Sequence, residues 1–179
     1  AENLGRISEL ARRMGRIIKN LRAFARQESE AATRVDLVAV LDSVIELTGP
    51  RLRQDDIELR YQCPDDPIWV RGGEVRLGQV FVNLVSNAAD AMAGADTRVL
   101  TIVLRPGRSL TVSFRDTGPG IAMPDKVFEP FYSTKEVGAS EGMGLGLSIS
   151  YGIVQSFGGE IRGRNLQSGG AEFTVRLEP

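Results

Sequence analysis

The stretch NLVSNAADAM (residues 83–92) decides how the rest of the chain is read. It reads as helix, and a helix places Asn83 and Asn87 one turn apart on one face, with Asp90 on the same side. Two glycine-rich segments follow it. DTGPG (residues 116–120) is an acidic residue followed at once by a turn, and GMGLG (residues 142–146) is a loop running into an apolar helix. In this order the three describe a nucleotide site: a metal-ligand helix, a base-reading carboxylate and a phosphate cradle. An Asn carbonyl oxygen is a suitable neutral ligand for Mg²⁺, which usually keeps several waters and shares phosphate oxygens. A lone Asn on a helix more often bonds a neighbouring loop. Here the pair stands with Asp90 ahead of two glycine loops, which favours the ligand reading.

Asp116 ends an apolar strand, where its carboxylate can accept from the exocyclic amine of adenine, a donor that guanine lacks at that place. Gly118 and Gly120 permit tight turns and close approach to a flat ring. The competing reading of DTG alone is a simple Asp-Gly turn. Gly142, Gly144 and Gly146 precede a helix N-terminus, where free backbone N–H groups and the helix dipole favour phosphate. A dinucleotide-binding fold would place such glycines directly after the first strand of a βαβ unit, whereas a polar loop precedes them here. No stretch matches GxxxxGK[ST]. The chain has no histidine, so an HRD-type catalytic loop is excluded as well.

Composition is that of an ordinary soluble globular protein, with 42% hydrophobic and 25% charged residues. A net charge of −1 gives no global pull toward nucleic acid or an anionic membrane. The charge is uneven: residues 1–35 hold eight Lys/Arg against four Asp/Glu, and the remainder holds 14 against 19. The single cysteine, Cys63, excludes an internal disulfide and fits a reducing, cytoplasmic compartment. No apolar run approaches the roughly 18 residues needed to cross a bilayer. The chain starts at Ala1 already within a helical pattern, which points to a piece of something longer.

Residues 1–29 read as one long helix. Leu4, Ile7, Ala11, Met14, Ile18, Leu21 and Ala25 form a heptad seam, and Leu10, Ile17 and Phe24 add a second stripe, which suits a four-helix bundle. Its basic face is either solvated or a docking surface for an acidic partner. Residues 30–35 read as a linker, and residues 36–179 as one compact domain. Asp36 can cap a helix through about Leu52. Strands are expected over 57–62, 68–71, 99–105 and 110–115, with a final hairpin of 160–164 and 172–177. Residues 74–92 form a helix with Val75, Val80, Leu84, Val85 and Ala88 inward. A loop covers 119–127, a small polar stretch lies at 138–142, and a helix from Leu145 to Phe157 stops at Gly158-Gly159. The pattern predicts an α+β fold, a two-layer α/β sandwich of one mixed sheet covered by helices, preceded by the long helix.

These segments resemble the catalytic, ATP-binding region of a bacterial sensor histidine kinase, within the wider ATPase superfamily of gyrase, mismatch-repair ATPases and a large chaperone. NLVSNAADAM resembles the family's asparagine box, DTGPG its first glycine box, GMGLGLSIS its second, and FEPFYSTK (residues 128–135) its phenylalanine box. The likeness covers residues 36–179. The leading helix resembles the second helix of the family's dimerisation and phosphotransfer bundle. GLGLSISYGIVQSFGG followed by GGAEFTV is similar to kinases that sense four-carbon dicarboxylates.

The resemblance implies ATP and Mg²⁺ as cofactors. It implies Asn83, Asn87 and Lys135 as catalytic residues, with Asn87 the metal ligand. Asn83 lies where hydrolytic relatives carry a water-activating glutamate, and an amide cannot serve as that base, which favours phosphoryl transfer over fast hydrolysis. The nucleotide pocket would be lined by Asp90, Asp116, Gly118, Gly120, Ile121, Thr134, Lys135, Gly142, Met143, Gly144, Leu145, Gly146 and Leu147. Lys135 suits a phosphate contact and, equally, a surface position. Phe128, Phe131 and Tyr132 would pack the lid on the bundle or simply fill core. The implied partners are a response-regulator receiver domain and a second copy joined through the bundle, in a parent anchored in the inner membrane. Two departures stand out. The phosphoacceptor histidine of the family lies on a helix this chain lacks, and Ala171 stands where many relatives carry threonine.

Overall fold

The computed structural model of the chain describes residues 33–132 and 144–179. The helix expected over 1–29, the first half of the linker and the polar stretch at 138–142 lie outside the described residues. Thr33–Asp36 forms strand β1 and leads directly into helix α1, Leu37–Gln54. Asp36 caps that helix as expected: its Oδ1 accepts the Val38 N–H at 3.0 Å. The same oxygen accepts the Ile68 N–H at 3.2 Å, so one carboxylate starts α1 and fastens it to the segment entering β3, Trp69–Gly72. β1 and β3 pair antiparallel, with Val35 opposite Val70 and both buried. Two sequence expectations are corrected here. The short strand near 68–71 does not join the main sheet, and the polar segment read as linker ends in the strand that pairs with it.

The main sheet contains β2 (Glu58–Gln62), β4 (Val99–Arg105), β5 (Leu110–Arg115), β6 (Glu160–Asn165) and β7 (Ala171–Leu177), in the order β2-β4-β5-β7-β6. β2 and β4 run parallel and the other pairs antiparallel, so the sheet is mixed, as predicted. A parallel pair needs a crossover, and the chain between β2 and β4 contains helix α2, Glu74–Ala91. Helix α3, Gly146–Ser156, precedes the β6–β7 hairpin. The result is the two-layer α+β sandwich that the sequence pattern predicts.

Alternation along the strands sets one sheet face into the core. Leu100, Ile102 and Leu104 of β4, Leu110, Val112 and Phe114 of β5, and Phe173, Val175 and Leu177 of β7 are all buried. Helix α2 answers with Leu77, Val80, Phe81, Leu84, Val85, Ala88 and Ala89, a stripe of helical period. Phe81 and Phe114 meet with ring centroids 5.6 Å apart, and full burial of side chains of this size contributes about 1.5–3 kcal/mol each. Val75, expected inward, is 78% exposed. It lies two residues before Leu77, about 200° around the helix from the buried stripe.

The opposite sheet face is polar. Arg115, Glu172 and Arg164 are side by side in one rung across β5, β7 and β6. Arg115 Nε donates to Glu172 Oε1 at 2.5 Å, and Arg164 Nε donates to Oε2 at 2.5 Å. Burial pushes the Glu172 carboxyl upward, but the two guanidinium hydrogen bonds outweigh it and hold the group below its ordinary range. A carboxyl held low in the folded state contributes stability above its unfolded pKa and loses it as pH falls through the folded one. Glu172→Ala should therefore lower unfolding stability at pH 7 by about 1.5–3 kcal/mol, and the deficit should vanish in acid. Urea titration at pH 7 checks this, and an unchanged midpoint contradicts it.

Candidate functional site

Helix α2 gathers the three segments. Its buried stripe fixes its rotation on the sheet, and that rotation presents Asn83 and Asn87 away from the core. Near its middle, Asn83 meets the start of α3. Asn83 Nδ2 donates to Ser150 Oγ at 3.0 Å, and Ser150 is buried. The Asn83 oxygen lies so close to Gly146 that a Cβ there would come within 2.3 Å of it. Only glycine lets the first turn of α3 approach α2 this closely. At its far end, α2 meets the turn after β5: a Cβ on Gly118 would lie 3.0 Å from the Ala91 carbonyl oxygen.

The two asparagines therefore differ. The Asn83 amide is engaged by Ser150, whereas among the described residues the half-buried Asn87 amide makes no hydrogen bond. Asp90, three residues on, accepts from Arg51 of α1, and Arg51 also reaches Asp55 at 3.3 Å. Arg51 and Ser150 escaped the sequence reading, because each acts on this helix from another element. The start of α3 has no side-chain cap. Its first N–H groups are thus left to solvent or to a ligand, and the dipole there favours an anion. Gly144, Leu145, Gly146 and Leu147 line this end. Thr134, Lys135, Gly142 and Met143 lie outside the described residues.

Asp116 is 4% exposed. Its Oδ1 accepts the Gly118 N–H at 2.9 Å and the Ala171 N–H at 3.3 Å. Among the described residues Oδ2 accepts nothing, which leaves one carboxylate oxygen for a ligand N–H. The Ala171 carbonyl in turn accepts the Asp116 N–H at 3.0 Å. Gly120 and Ile121 complete the turn, Ile121 being packed against the core. The Ala171 side chain is buried, so no hydroxyl is offered there. Phe128 packs against Phe173 and Tyr151, with centroids 6.2 and 5.7 Å away, and so fills core. Phe131 is 73% exposed.

These donors fit a Mg-nucleotide: an open amide on a helix, an uncapped helix N-terminus, and a buried carboxylate with one unengaged oxygen. Burial raises the Asp116 carboxyl above its ordinary value, against the two backbone hydrogen bonds that lower it. An acid raised in the folded state loses stability as pH climbs through its folded pKa, so the ionised group carries a cost at neutral pH. Asp116→Asn keeps an acceptor for both N–H groups and removes the buried charge. Without nucleotide, this variant should gain about 0.5–2 kcal/mol at pH 7, a gain that shrinks on acidification. A urea midpoint below that of the parent would count against this.

Comparison with known proteins agrees. Residues 72–179 match the family described as histidine kinase-, DNA gyrase B-, and HSP90-like ATPase. C4-dicarboxylate transport sensor protein DctB of Pseudomonas aeruginosa is 35% identical over 99% of this chain, which covers 29% of that protein. Sensor protein FixL of Bradyrhizobium diazoefficiens is 36% identical over 97% of the chain, covering 34% of its length. The chain thus spans about a third of these relatives. Among solved structures, the catalytic domain of histidine kinase ThkA superposes with a TM-score of 0.72 at 27% identity, covering 83% of this chain and 96% of that one. The chain belongs to the histidine kinase-, DNA gyrase B-, and HSP90-like ATPase family.

Proposed function

We propose that Asp116, Asn87 and the start of α3 together hold Mg-ATP, and that this domain delivers the γ-phosphoryl group to a histidine outside the chain. The observation that carries the reading is the buried Asp116 carboxylate with Oδ1 taken by backbone and Oδ2 open. Oδ2 accepts from the adenine amine. Gly118, Gly120 and Ile121 flank the base. The N–H groups of Gly144, Leu145, Gly146 and Leu147 face the phosphates, with Thr134, Lys135, Gly142 and Met143 completing that end. Asn87 offers its carbonyl oxygen to Mg²⁺. Held by Asn87, the ion would neutralise phosphate charge.

In the transfer, the γ-phosphorus forms a bond to an imidazole nitrogen as its bond to the bridging β-phosphate oxygen breaks, and ADP leaves. The protein contributes chiefly position and charge. Asn83 contributes by tying α2 to α3 and offers no base to activate water. This favours transfer over hydrolysis, because general-base assistance is worth roughly 10²–10⁴-fold. With no histidine in its sequence, the chain must act on a separate helix.

We infer a response-regulator receiver domain as the downstream partner. Histidine kinase ThkA has been solved in complex with response regulator protein TrrA. We also infer a parent dimeric through the helical bundle, with residues 1–29 as one bundle helix. The likeness to DctB supports a parent of the dicarboxylate-sensing type. FixL is as similar, so the distinction rests on the sensing region rather than on this domain. The cytoplasm supplies the ATP that the reading requires, and no described helix is long and apolar enough to cross a membrane.

The test is transfer in trans. With labelled ATP and Mg²⁺, the chain alone should gain no phosphohistidine and turn ATP over slowly. A separately supplied bundle helix carrying a histidine should accept label, weakly, because its docking entropy is no longer prepaid by a covalent link. Asn87→Ala should abolish this labelling. Rapid ATP turnover without transfer to any such helix would move the chain to the hydrolytic branch of the family.

A further inference from the structure

The turn that carries Asp116 is held at its far end by a residue outside every glycine motif. Asn165 is the last residue of β6, 44 positions from Ile121 in sequence. Its Oδ1 accepts the Ile121 N–H at 2.6 Å, and its Nδ2 donates to the Ile121 carbonyl at 2.9 Å. One side-chain amide thus pairs with both backbone groups of one residue, as an adjacent strand would. Its fit leaves no room for change nearby. Gly120 sits at φ 88°, and a Cβ there would come within 2.7 Å of Asn165 Oδ1. The Ile121 side chain lies over Gly163, two residues before Asn165 on the same face of β6, where a Cβ would lie 3.0 Å from Ile121 Cδ1.

The near end of the turn is held from the same rung. Asn165 is the β-ladder partner of Ala171. Ala171 gives its N–H to Asp116 Oδ1 and its carbonyl to the Asp116 N–H. A single rung of the β6–β7 hairpin therefore grips the turn at both ends, Ala171 at Asp116 and Asn165 at Ile121. The phosphate-facing groups at the start of α3 lie on another element.

We propose that the Asn165–Ala171 rung is the template for the base-reading turn, and that Asn165 is a positioning residue that sets adenine selectivity. The proposal rests on the reading of Asp116 as the adenine acceptor. Discrimination between bases depends on where Oδ2 stands relative to the ring edge. Phosphate affinity does not. Loosening Ile121 should therefore weaken ATP and leave GTP, bound through its phosphates, unchanged.

The experiment is calorimetry of ATP and GTP, with Mg²⁺, on the whole chain and on Asn165→Ala, Asn165→Asp and Asp116→Asn. Amide exchange at Ile121 and thermal unfolding are measured alongside. Asn165→Ala should lose roughly tenfold in ATP affinity, as expected when about two neutral hydrogen bonds are lost, and Asn165→Asp, which loses only the donor, roughly threefold. GTP affinity should be unchanged, Ile121 exchange should be faster, and the unfolding temperature should stay near that of the parent. Asn165→Asp preserves shape and the acceptor for the Ile121 N–H while losing the donor, so it carries the test if the alanine variant does not fold. Equal weakening of ATP and GTP, or no change in either, overturns the proposal. If Asp116→Asn loses adenine preference while the Asn165 variants keep it, the proposal alone fails. If Asp116→Asn itself keeps the preference, the adenine reading falls and takes the proposal with it.

Discussion

A carboxylate kept almost out of water is the constraint on which the rest of this domain depends. Asp116 gives up hydration at the end of β5 and recovers two backbone N–H groups, from Gly118 and Ala171. Both land on one oxygen. Desolvation without full compensation is unfavourable, and the raised Asp116 pKa is its signature. Such a group persists where a site uses it. Its demands explain neighbouring features: a tight turn of glycines after it, and the β6–β7 hairpin laid beside it to supply Ala171.

In the proposed site, helix α2 supplies the second requirement, which is registration between base and phosphates. One of its faces is locked by Phe81, Leu84 and Val85 against the sheet, which leaves no freedom of rotation. The other face touches the first turn of α3 at Asn83 and the Gly118 turn at Ala91. A packed helix is a stiff ruler, with about 1.5 Å of rise per residue. The eight residue steps from Asn83 to Ala91 therefore set a separation of about 12 Å between the two contacts. Binding energy then depends little on ordering the base end and the helix end relative to each other.

What was legible in the sequence follows from which residues act locally. Asp36 as a cap, the period-two strands and the helical stripe of α2 are short-range patterns, and all appear in the structure. The family was legible because the three motifs carry its residue types. The residues that were missed work across the fold. Ser150 reaches Asn83 over 67 positions, Arg51 reaches Asp90 over 39, and Asn165 reaches Ile121 over 44. No periodicity announces such pairs. β1 was missed because only Val35 of its four residues is buried, and its partner is a strand equally short. Val75 was misplaced because an apolar residue in the first turn of a helix looks inward until the phase of the buried stripe is known.

The central claim is that base, metal and phosphates meet on α2, on the turn after β5 and at the start of α3. Titration of the isotope-labelled chain with Mg-ATP, followed by NMR at each backbone amide and Asn side chain, tests it most directly. The account predicts large shifts at the Asn87 side-chain amide, at Gly118, Ile121 and Ala171, and at Leu145 and Gly146. The polar sheet face around Thr174 and Arg176 should stay unperturbed. Shifts concentrated on that face, or an Asn87 amide that does not respond to Mg-ATP, would contradict it.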